Sequence, residues 1–320
     1  MAGLYTAIEI TALLAGFVLA AEIVAEGTHR LEPLLGQGMA GGVLLGLMGS
    51  LPETIFVVIA VLSGSFSVAV GTAIGGNILL FTLGIGLAIV IYALKWKKSL
   101  KMKEDYHIDL YFFAASTIGI GLLILYGSLD ILSGLALSAV YVLYVLYRYK
   151  QTSVYIKNNN ITKEGTKLLL KGVFYIVIGA ILVILLSKPF IESISSLATD
   201  LRIPLILAAL VISPIAADFG ENLSAYRVVM KSPGGGSTAI VSFLGGKLEN
   251  NTILLGLIGI IAGIMYGVPV SIKSSIPELL TVIGVNIVAI AFIAKGRFGY
   301  KEGIILVVLY FIGIAAAFIL

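Results

Sequence analysis

Ten long apolar stretches separated by short polar segments are the feature that most limits what this chain can fold into. Each is long enough to cross a bilayer as a helix, which takes about 20 residues. The predicted spans are 4–25, 38–63, 67–94, 108–126, 131–147, 168–187, 203–229, 238–265, 275–294 and 303–320. The sixth continues past Lys188-Pro189 into a second apolar stretch, and we count it as one long helix. The pattern predicts an all-α membrane protein with ten transmembrane helices.

The composition agrees with a membrane protein and limits its chemistry. Hydrophobic residues make up 59% of the 320 residues and charged residues only 12%, whereas charged residues form about a quarter of soluble domains. The absence of cysteine excludes thiolate metal sites, disulfides and thiol catalysis. Two histidines, His29 and His107, cannot build a transition-metal site alone. We therefore expect no cofactor, and the net charge of +4 does not indicate nucleic acid.

Most lysines and arginines lie in three loops that fall on one side of the membrane if ten spans are present. They are Lys95, Lys97, Lys98, Lys101, Lys103, Arg148, Lys150, Lys157, Lys163, Lys167, Lys295, Arg297 and Lys301. The positive-inside rule places this side in the cytoplasm and both termini outside, in a multi-pass protein of the plasma membrane. Five spans on each side of a linker predict two inverted repeats, 1–149 and 168–320, joined by a cytoplasmic linker at 150–167.

Glu53 and Glu221 each lie inside an apolar run, one in each half of the chain. A broken-helix pattern accompanies each, Gly49-Ser50-Leu51-Pro52-Glu53 in the first half and Ser213-Pro214-Ile215-Ala216-Ala217-Asp218-Phe219-Gly220-Glu221-Asn222 in the second. A carboxylate at bilayer depth is costly unless it is compensated, so it marks a functional site by default. Two at matching places in a duplicated chain are typical of the binding site of an inverted-repeat transporter.

The residues around both glutamates offer oxygen ligands. Ser50, Glu53 and Thr54 share a helix face at i, i+3 and i+4. In the second half Asp218 and Glu221 share a face below a proline break, and proline frees backbone carbonyls in the preceding turn. Carboxylates, hydroxyls and carbonyls suit Ca²⁺ or Na⁺ rather than Zn²⁺ or Cu²⁺.

The eighth predicted span also carries a lysine. Lys247, Asn250 and Asn251 share a face, and Glu249 points about 200° away from Lys247 on an ideal helix. A buried lysine needs a partner, and Asp218, Glu221 or Glu53 is the obvious one. We expect Glu249 to face a polar cavity or a subunit edge rather than an ion.

These segments resemble the two α-repeats of the calcium/cation antiporter superfamily, which holds Na⁺/Ca²⁺ and Ca²⁺/H⁺ exchangers. Residues 49–53 resemble the family pattern G-[TS]-S-x-P-E, and Gly71-Thr72-Ala73-Ile74-Gly75-Gly76-Asn77 resembles G-N-x-x-G-S-N. The segment from Pro214 to Glu221 is more similar to the Ca²⁺/H⁺ branch. The resemblance covers the ten-span layout, with motifs in about 70 residues.

The resemblance implies a cation site between spans 2, 3, 7 and 8. Glu53 and Glu221 match the family's ion-binding glutamates and Asn250 its polar residue late in the second repeat. Further implied ligands are Gly49, Ser50, Thr72, Ser242 and Asn77, the last either a ligand or a residue that hydrogen-bonds between helices. Asp218 either binds the ion or pairs with Lys247.

This chain departs from the family pattern at four positions, which puts dependence on Na⁺ in doubt. Leu80 stands where the family has Asn or Asp, Lys247 where it has Asn, and Gly76 and Gly246 where it has Ser. Lys247 is either a tethered cation in place of Na⁺ or a paired structural charge.

The resulting prediction is a cation antiporter, not an enzyme, that moves Ca²⁺ or a similar hard cation in exchange for Na⁺ or H⁺. Its expected partners are inorganic cations and membrane lipid, and the oligomeric state stays open. An intramembrane carboxylate hydrolase and a cation channel are the alternatives. Asp218 has no aspartate at the corresponding place of the other repeat, which weighs against the hydrolase.

Overall fold

Helices form nearly all of the computed structural model, which describes residues 2–35, 49–102, 106–156 and 163–319. The α-helices are α1 Ala2–Leu35, α2 Leu51–Leu62, α3 Phe66–Leu79, α4 Ile85–Trp96, α5 His107–Tyr126, α6 Ile131–Ile156, α7 Lys163–Leu201, α8 Leu205–Ala217, α9 Phe219–Lys231, α10 Gly235–Glu249, α11 Leu255–Tyr266, α12 Ile276–Ala294 and α13 Tyr300–Ile319. The two-residue strands are β1 Leu100–Lys101, β2 Ser128–Leu129, β3 Val270–Ser271 and β4 Arg297–Phe298. A 3₁₀ turn, Lys273–Ser275, precedes α12.

Eight helical spans in the described ranges are long and apolar enough to cross a bilayer. They are Ile8–Leu31, Phe66–Trp96, His107–Tyr126, Ile131–Arg148, Gly165–Leu201, Gly235–Tyr266, Lys273–Ala294 and Tyr300–Phe318. Helices α8 and α9 make a ninth if they are taken as one span bent by 47°. The helix α2 is shorter, and residues 36–48, in the predicted second span, lie outside the described residues. The chain is therefore an integral, multi-pass, all-helical membrane protein.

Three of the spans are broken or distorted near their middle. The bend between α8 and α9 falls at Asp218, one turn after Pro214. Proline has no N–H to donate to the carbonyl of Leu210, and Gly75 of α3 lies directly against that carbonyl. Single π-helical turns, Leu80–Gly84 and Asn250–Leu254, separate α3 from α4 and α10 from α11. Such turns are rare and are frequent at functional sites.

Reciprocal glycine contacts bring three pairs of helices close together. A Cβ added to either glycine of a pair would lie 2.5–2.9 Å from the other's carbonyl oxygen. The pairs are Gly27 and Gly172 between α1 and α7, Gly86 and Gly303 between α4 and α13, and Gly134 and Gly256 between α6 and α11. Small residues let helix backbones approach closely in a bilayer, where packing replaces the hydrophobic driving force.

Two short antiparallel ribbons, absent from the sequence prediction, join loops that are far apart in the chain. Strand β1 pairs with β4, with Leu100 opposite Phe298, and β2 pairs with β3, with Leu129 opposite Val270. Strands of two residues leave no alternating pattern that a sequence reading can detect.

The predicted polar linker is shorter than expected, because α6 continues to Ile156 and α7 begins at Lys163. The predicted Asn158-Asn159-Asn160 turn lies outside the described residues. Arg148 is buried rather than in a loop. Its guanidinium donates to both carboxylate oxygens of Asp109, with 3.2 Å from Nε to Oδ1, and Tyr144 donates to the same carboxylate at 2.7 Å. The single long sixth helix is confirmed, since α7 runs through Pro189 to Leu201.

Candidate functional site

Side chains from three different helical segments converge on Gly76 of α3. A Cβ added at Gly76 would lie 2.7 Å from Nδ2 of Asn250 and 3.1 Å from Oδ2 of Asp218, and would collide with Oε1 of Glu53. Glu53 lies in the first turn of α2, Asp218 at the α8–α9 break and Asn250 at the start of the second π-helical turn. All three side chains are fully buried. Glycine at position 76 therefore provides the space in which they meet.

Glu221 lies in the first turn of α9, between two glycines. A Cβ at Gly246 would lie 2.6 and 3.1 Å from the two carboxylate oxygens of Glu221, and one at Gly49 would lie 3.3 Å from its Cγ. The carboxylate borders a small cavity that Thr28, Ser224, Thr238 and Ser242 also line. Because the lining also includes Val228 and Thr238, which flank the α9–α10 connection, the cavity extends from Glu221 toward that end of the bundle.

The carboxylates of Glu53, Asp218 and Glu221 have no hydrogen-bond donor for any of their six oxygens within the described residues. Glu53 and Asp218 face each other, and Asp218 and Glu221 are one turn apart across the bend. Anionic oxygens buried without donors are strongly unfavourable. The arrangement is therefore stable only with cations or protons on these groups.

Glu249, which the sequence reading set apart from the ion site, is buried beside it. Its carboxylate accepts hydrogen bonds from the hydroxyl of Ser50 and, at 2.7 Å, from that of Thr54. The expectation that it faces a subunit edge is wrong, because the Glu249 side chain is only 3% exposed within the chain. No local sequence pattern reports this position, because the burial of 12 of the 15 residues of α10 is a property of the folded bundle. Unlike the other three carboxylates, Glu249 is satisfied by the protein.

Contrary to the sequence prediction, Lys247 does not form an ion pair with a carboxylate. Its ammonium donates to the backbone carbonyl of Asn77 and lies 4.5 Å from the ring centroid of Phe81 and 6.0 Å from that of Phe113. Among the described residues no acidic oxygen is within 4.0 Å of Nζ, although Glu53 is near enough to interact electrostatically. The residue is fully buried, so the ammonium meets neither lipid nor bulk water.

The remaining predicted ligands fall into two groups, those beside Glu221 and those whose side chains bond elsewhere. Gly49 and Ser242 adjoin Glu221, whereas the hydroxyl of Ser50 is directed to Glu249. Thr72 donates to the carbonyl of Val68 on its own helix at 2.7 Å, and the Asn77 amide donates to that of Ala73 at 3.0 Å. Neither side chain makes a hydrogen bond to another helix in the described structure.

Chemically, the site is a buried cluster of hard oxygen donors. Of the described His, Asp and Glu side chains, no three converge closely enough to hold a metal ion by themselves. A bound cation would therefore use one or two carboxylates together with amide, hydroxyl and backbone oxygens, as Ca²⁺ commonly does.

Comparison with known proteins identifies similar sequences and structures. The sequence profile of the "Sodium/calcium exchanger protein" family matches residues 6–150 and again 171–319. A "Ca(2+)/H(+) antiporter" from Aphanothece halophytica is 24% identical over 341 aligned positions, which cover 97% of this chain and 90% of the relative.

Solved exchanger structures share the fold. The structure of the H⁺/Ca²⁺ exchanger CAX aligns with a TM-score of 0.80 and 18% identity, over 98% of this chain and 86% of that one. A structure of the sodium-calcium exchanger NCX_Mj aligns with a TM-score of 0.69 and 16% identity, over 98% of each chain. The profile matches cover nearly the whole sequence, so this chain belongs to the sodium/calcium exchanger protein family.

Proposed function

We propose that this protein is a secondary-active antiporter that moves Ca²⁺, or a similar hard cation, across the membrane in exchange for H⁺ or Na⁺. The observation that carries the proposal is the set of six buried carboxylate oxygens, on Glu53, Asp218 and Glu221, that have no protein donor in the described structure. Membership of an exchanger family argues against an intramembrane hydrolase. The name of the Aphanothece relative supports H⁺ as the counter-ion.

Glu53, Asp218 and Glu221 are the proposed ion-binding carboxylates, with no more than two of them on one cation at a time, and Asn250 supplies an amide oxygen. The carbonyl of Gly49 and the hydroxyl of Ser242 lie next to Glu221, and Ser50, Thr72 and Asn77 are outer members of the site. A carboxylate that gives up its cation in a dry site is stabilised by taking up a proton, so the same groups can carry both ions in turn.

We further propose ten spans in two inverted repeats, 1–149 and 168–320. The family profile matches the chain twice. A π-helical turn interrupts the third and the eighth predicted span. After each of these spans comes one strand of a two-stranded ribbon, β1 after the third and β3 after the eighth. An odd number of spans in each half gives the repeats opposite orientations.

The proposed orientation follows from charge, with the 150–167 linker in the cytoplasm and both termini outside a plasma membrane. The cavity beside Glu221 extends toward the α9–α10 connection, where Trp96, next to the lysine-rich 95–103 segment, donates to the carbonyl of Val229 at 3.0 Å. Under this orientation the cavity leads to the cytoplasm, and the conformation is inward-facing. Movement of the closely packed pair α1 and α7 against the remaining helices would expose the site to the other side.

Flux of ⁴⁵Ca²⁺ into proteoliposomes with an imposed pH or Na⁺ gradient tests the function. We expect uptake that follows a gradient of one counter-ion and collapses with ionophores that dissipate it. Uptake that follows only the Ca²⁺ gradient and the membrane potential would indicate a channel. No uptake under either gradient, from protein that elutes as a monodisperse peak, would contradict the antiporter.

A further inference from the structure

The ammonium group of Lys247 has the surroundings of a bound monovalent cation. A backbone carbonyl oxygen, from Asn77, accepts its hydrogen bond, and the faces of Phe81 and Phe113 lie beside it. Carbonyl oxygens and aromatic faces are both favourable neighbours for a cation. The carbonyl belongs to α3, one turn before its π-helical interruption and next to Gly76, around which the carboxylates meet.

We propose that Lys247 is a built-in monovalent cation, whose charge replaces one ion that the carboxylate cluster would otherwise bind from solution. The proposal rests on the proposed ion exchange and adds a determinant of which ions, and how many, the site takes. A membrane-embedded lysine is costly, and here it is retained without an ion-pair partner within 4.0 Å in the described part of the chain. Its charge thus acts on the cluster across space rather than through an ion pair, and Glu53 is near enough to interact with it electrostatically.

The formal charges of the cluster predict how many cations it binds. Glu249 is satisfied by the hydroxyls of Ser50 and Thr54. With all three ionised, the carboxylates without donors and the ammonium together carry a formal charge of −2, not counting Glu249. One divalent cation balances this charge without a further ion. If position 247 is neutral the charge becomes −3, and the site then takes a divalent and a monovalent cation together.

The test is the Na⁺ dependence of the variant Lys247→Asn. The shorter amide removes the ammonium, leaves room beside the Asn77 carbonyl and supplies an oxygen ligand. We expect the melting temperature of the purified variant to rise with NaCl but not with choline chloride at equal ionic strength, because ligand binding stabilises the folded state. We also expect Na⁺, present on the same side, to stimulate Ca²⁺ exchange by about tenfold or more, the scale of a typical coupling between sites.

Two matched variants separate this effect from a general loss of positive charge. Lys247→Arg keeps the charge at the site and is expected to respond to Na⁺ as the original protein does. Lys295→Asn removes an exposed lysine that also lies on an aromatic ring, 5.1 Å from the centroid of Phe292, and should behave like the original protein. The melting measurement needs no Ca²⁺ transport, so it reports on Lys247 even if the chain exchanges other ions.

An unchanged response to Na⁺ in a folded Lys247→Asn variant would overturn the proposal. Aggregation of both Lys247→Asn and Lys247→Gln, to the same extent in Na⁺ and in choline, would overturn it as well. In that case a soluble cation does not substitute for the ammonium, and the lysine is a structural charge.

Discussion

The carboxylate of Glu53 occupies the space that a side chain at Gly76 would fill. The substitution Gly76→Ala should therefore displace Glu53 and separate it from Asp218 and Asn250. We expect the rate of ion exchange to fall at least tenfold, which corresponds to about 1.4 kcal/mol. We also expect overpacking to lower the free energy of unfolding by about 1–3 kcal/mol. The measurement is ⁴⁵Ca²⁺ exchange in proteoliposomes with melting in detergent. Gly121→Ala is the control, because an added Cβ there has nothing within 4 Å.

Glu53→Gln and Glu221→Gln should each abolish Ca²⁺ exchange while the protein still folds. Each removes a negative charge that a divalent ion needs, and the neutral amide no longer requires a cation. Thermal stability in the absence of Ca²⁺ should be unchanged or higher, because an uncompensated buried charge disappears. Glu26→Gln, which removes a partly exposed carboxylate paired with Arg30 at 2.6 Å, is the matched control. Normal exchange by either site variant would remove that glutamate from the site.

Glu249 should behave differently from the other buried carboxylates. Because the protein already satisfies it, we expect Glu249→Gln to retain exchange with the same counter-ion. Removal of its donors by Ser50→Ala or Thr54→Ala should instead lower stability by about 1.5–3 kcal/mol, the usual range for a hydrogen bond to a charged group. Chemical denaturation in mixed micelles measures the second effect. Complete loss of exchange in Glu249→Gln would place this carboxylate among the ion ligands.

Arg148→Ala should destabilise the protein by about 3–5 kcal/mol, because it leaves the buried carboxylate of Asp109 without its bidentate partner. The double variant Asp109→Leu with Arg148→Met should recover most of this loss, since it removes both charges. Arg30→Ala, at a partly exposed pair, is expected to cost about 1 kcal/mol or less. Equal effects at the two pairs would mean that burial of Arg148 contributes little.

A single cysteine at Asn159 tests the orientation. The natural sequence contains no cysteine, so no background has to be removed. The lysine-rich loops predict labelling by a membrane-impermeant maleimide from the cytoplasmic face only. Cysteines introduced near the ends of the chain should react only from outside. Labelling of position 159 in intact cells would reverse the proposed topology.

Hydropathy predicted apolar spans, of which the described structure has eight or, with the bent pair, nine, and the apolar surroundings of Glu53 and Glu221 predicted that both are buried. Both signals are local in the sequence, because a bilayer demands about 20 apolar residues for each helix and makes each intramembrane carboxylate costly. Pro214, four residues before Asp218, likewise predicted the break in the seventh predicted span. Family membership confirmed the exchanger resemblance that these motifs carried.

The partners of the charged groups were decided only by tertiary structure. Ideal helix geometry predicts that Glu249 points away from the face of Lys247, and the sequence predicts a polar cavity or a subunit edge for it. In the folded bundle α10 is enclosed, so the opposite face meets Ser50 and Thr54 of the α2 segment. For the same reason Lys247 meets a backbone carbonyl of α3, a group that exists at every residue and leaves no trace in the sequence. Sequence thus determined which charges are buried, and packing determined what each one contacts.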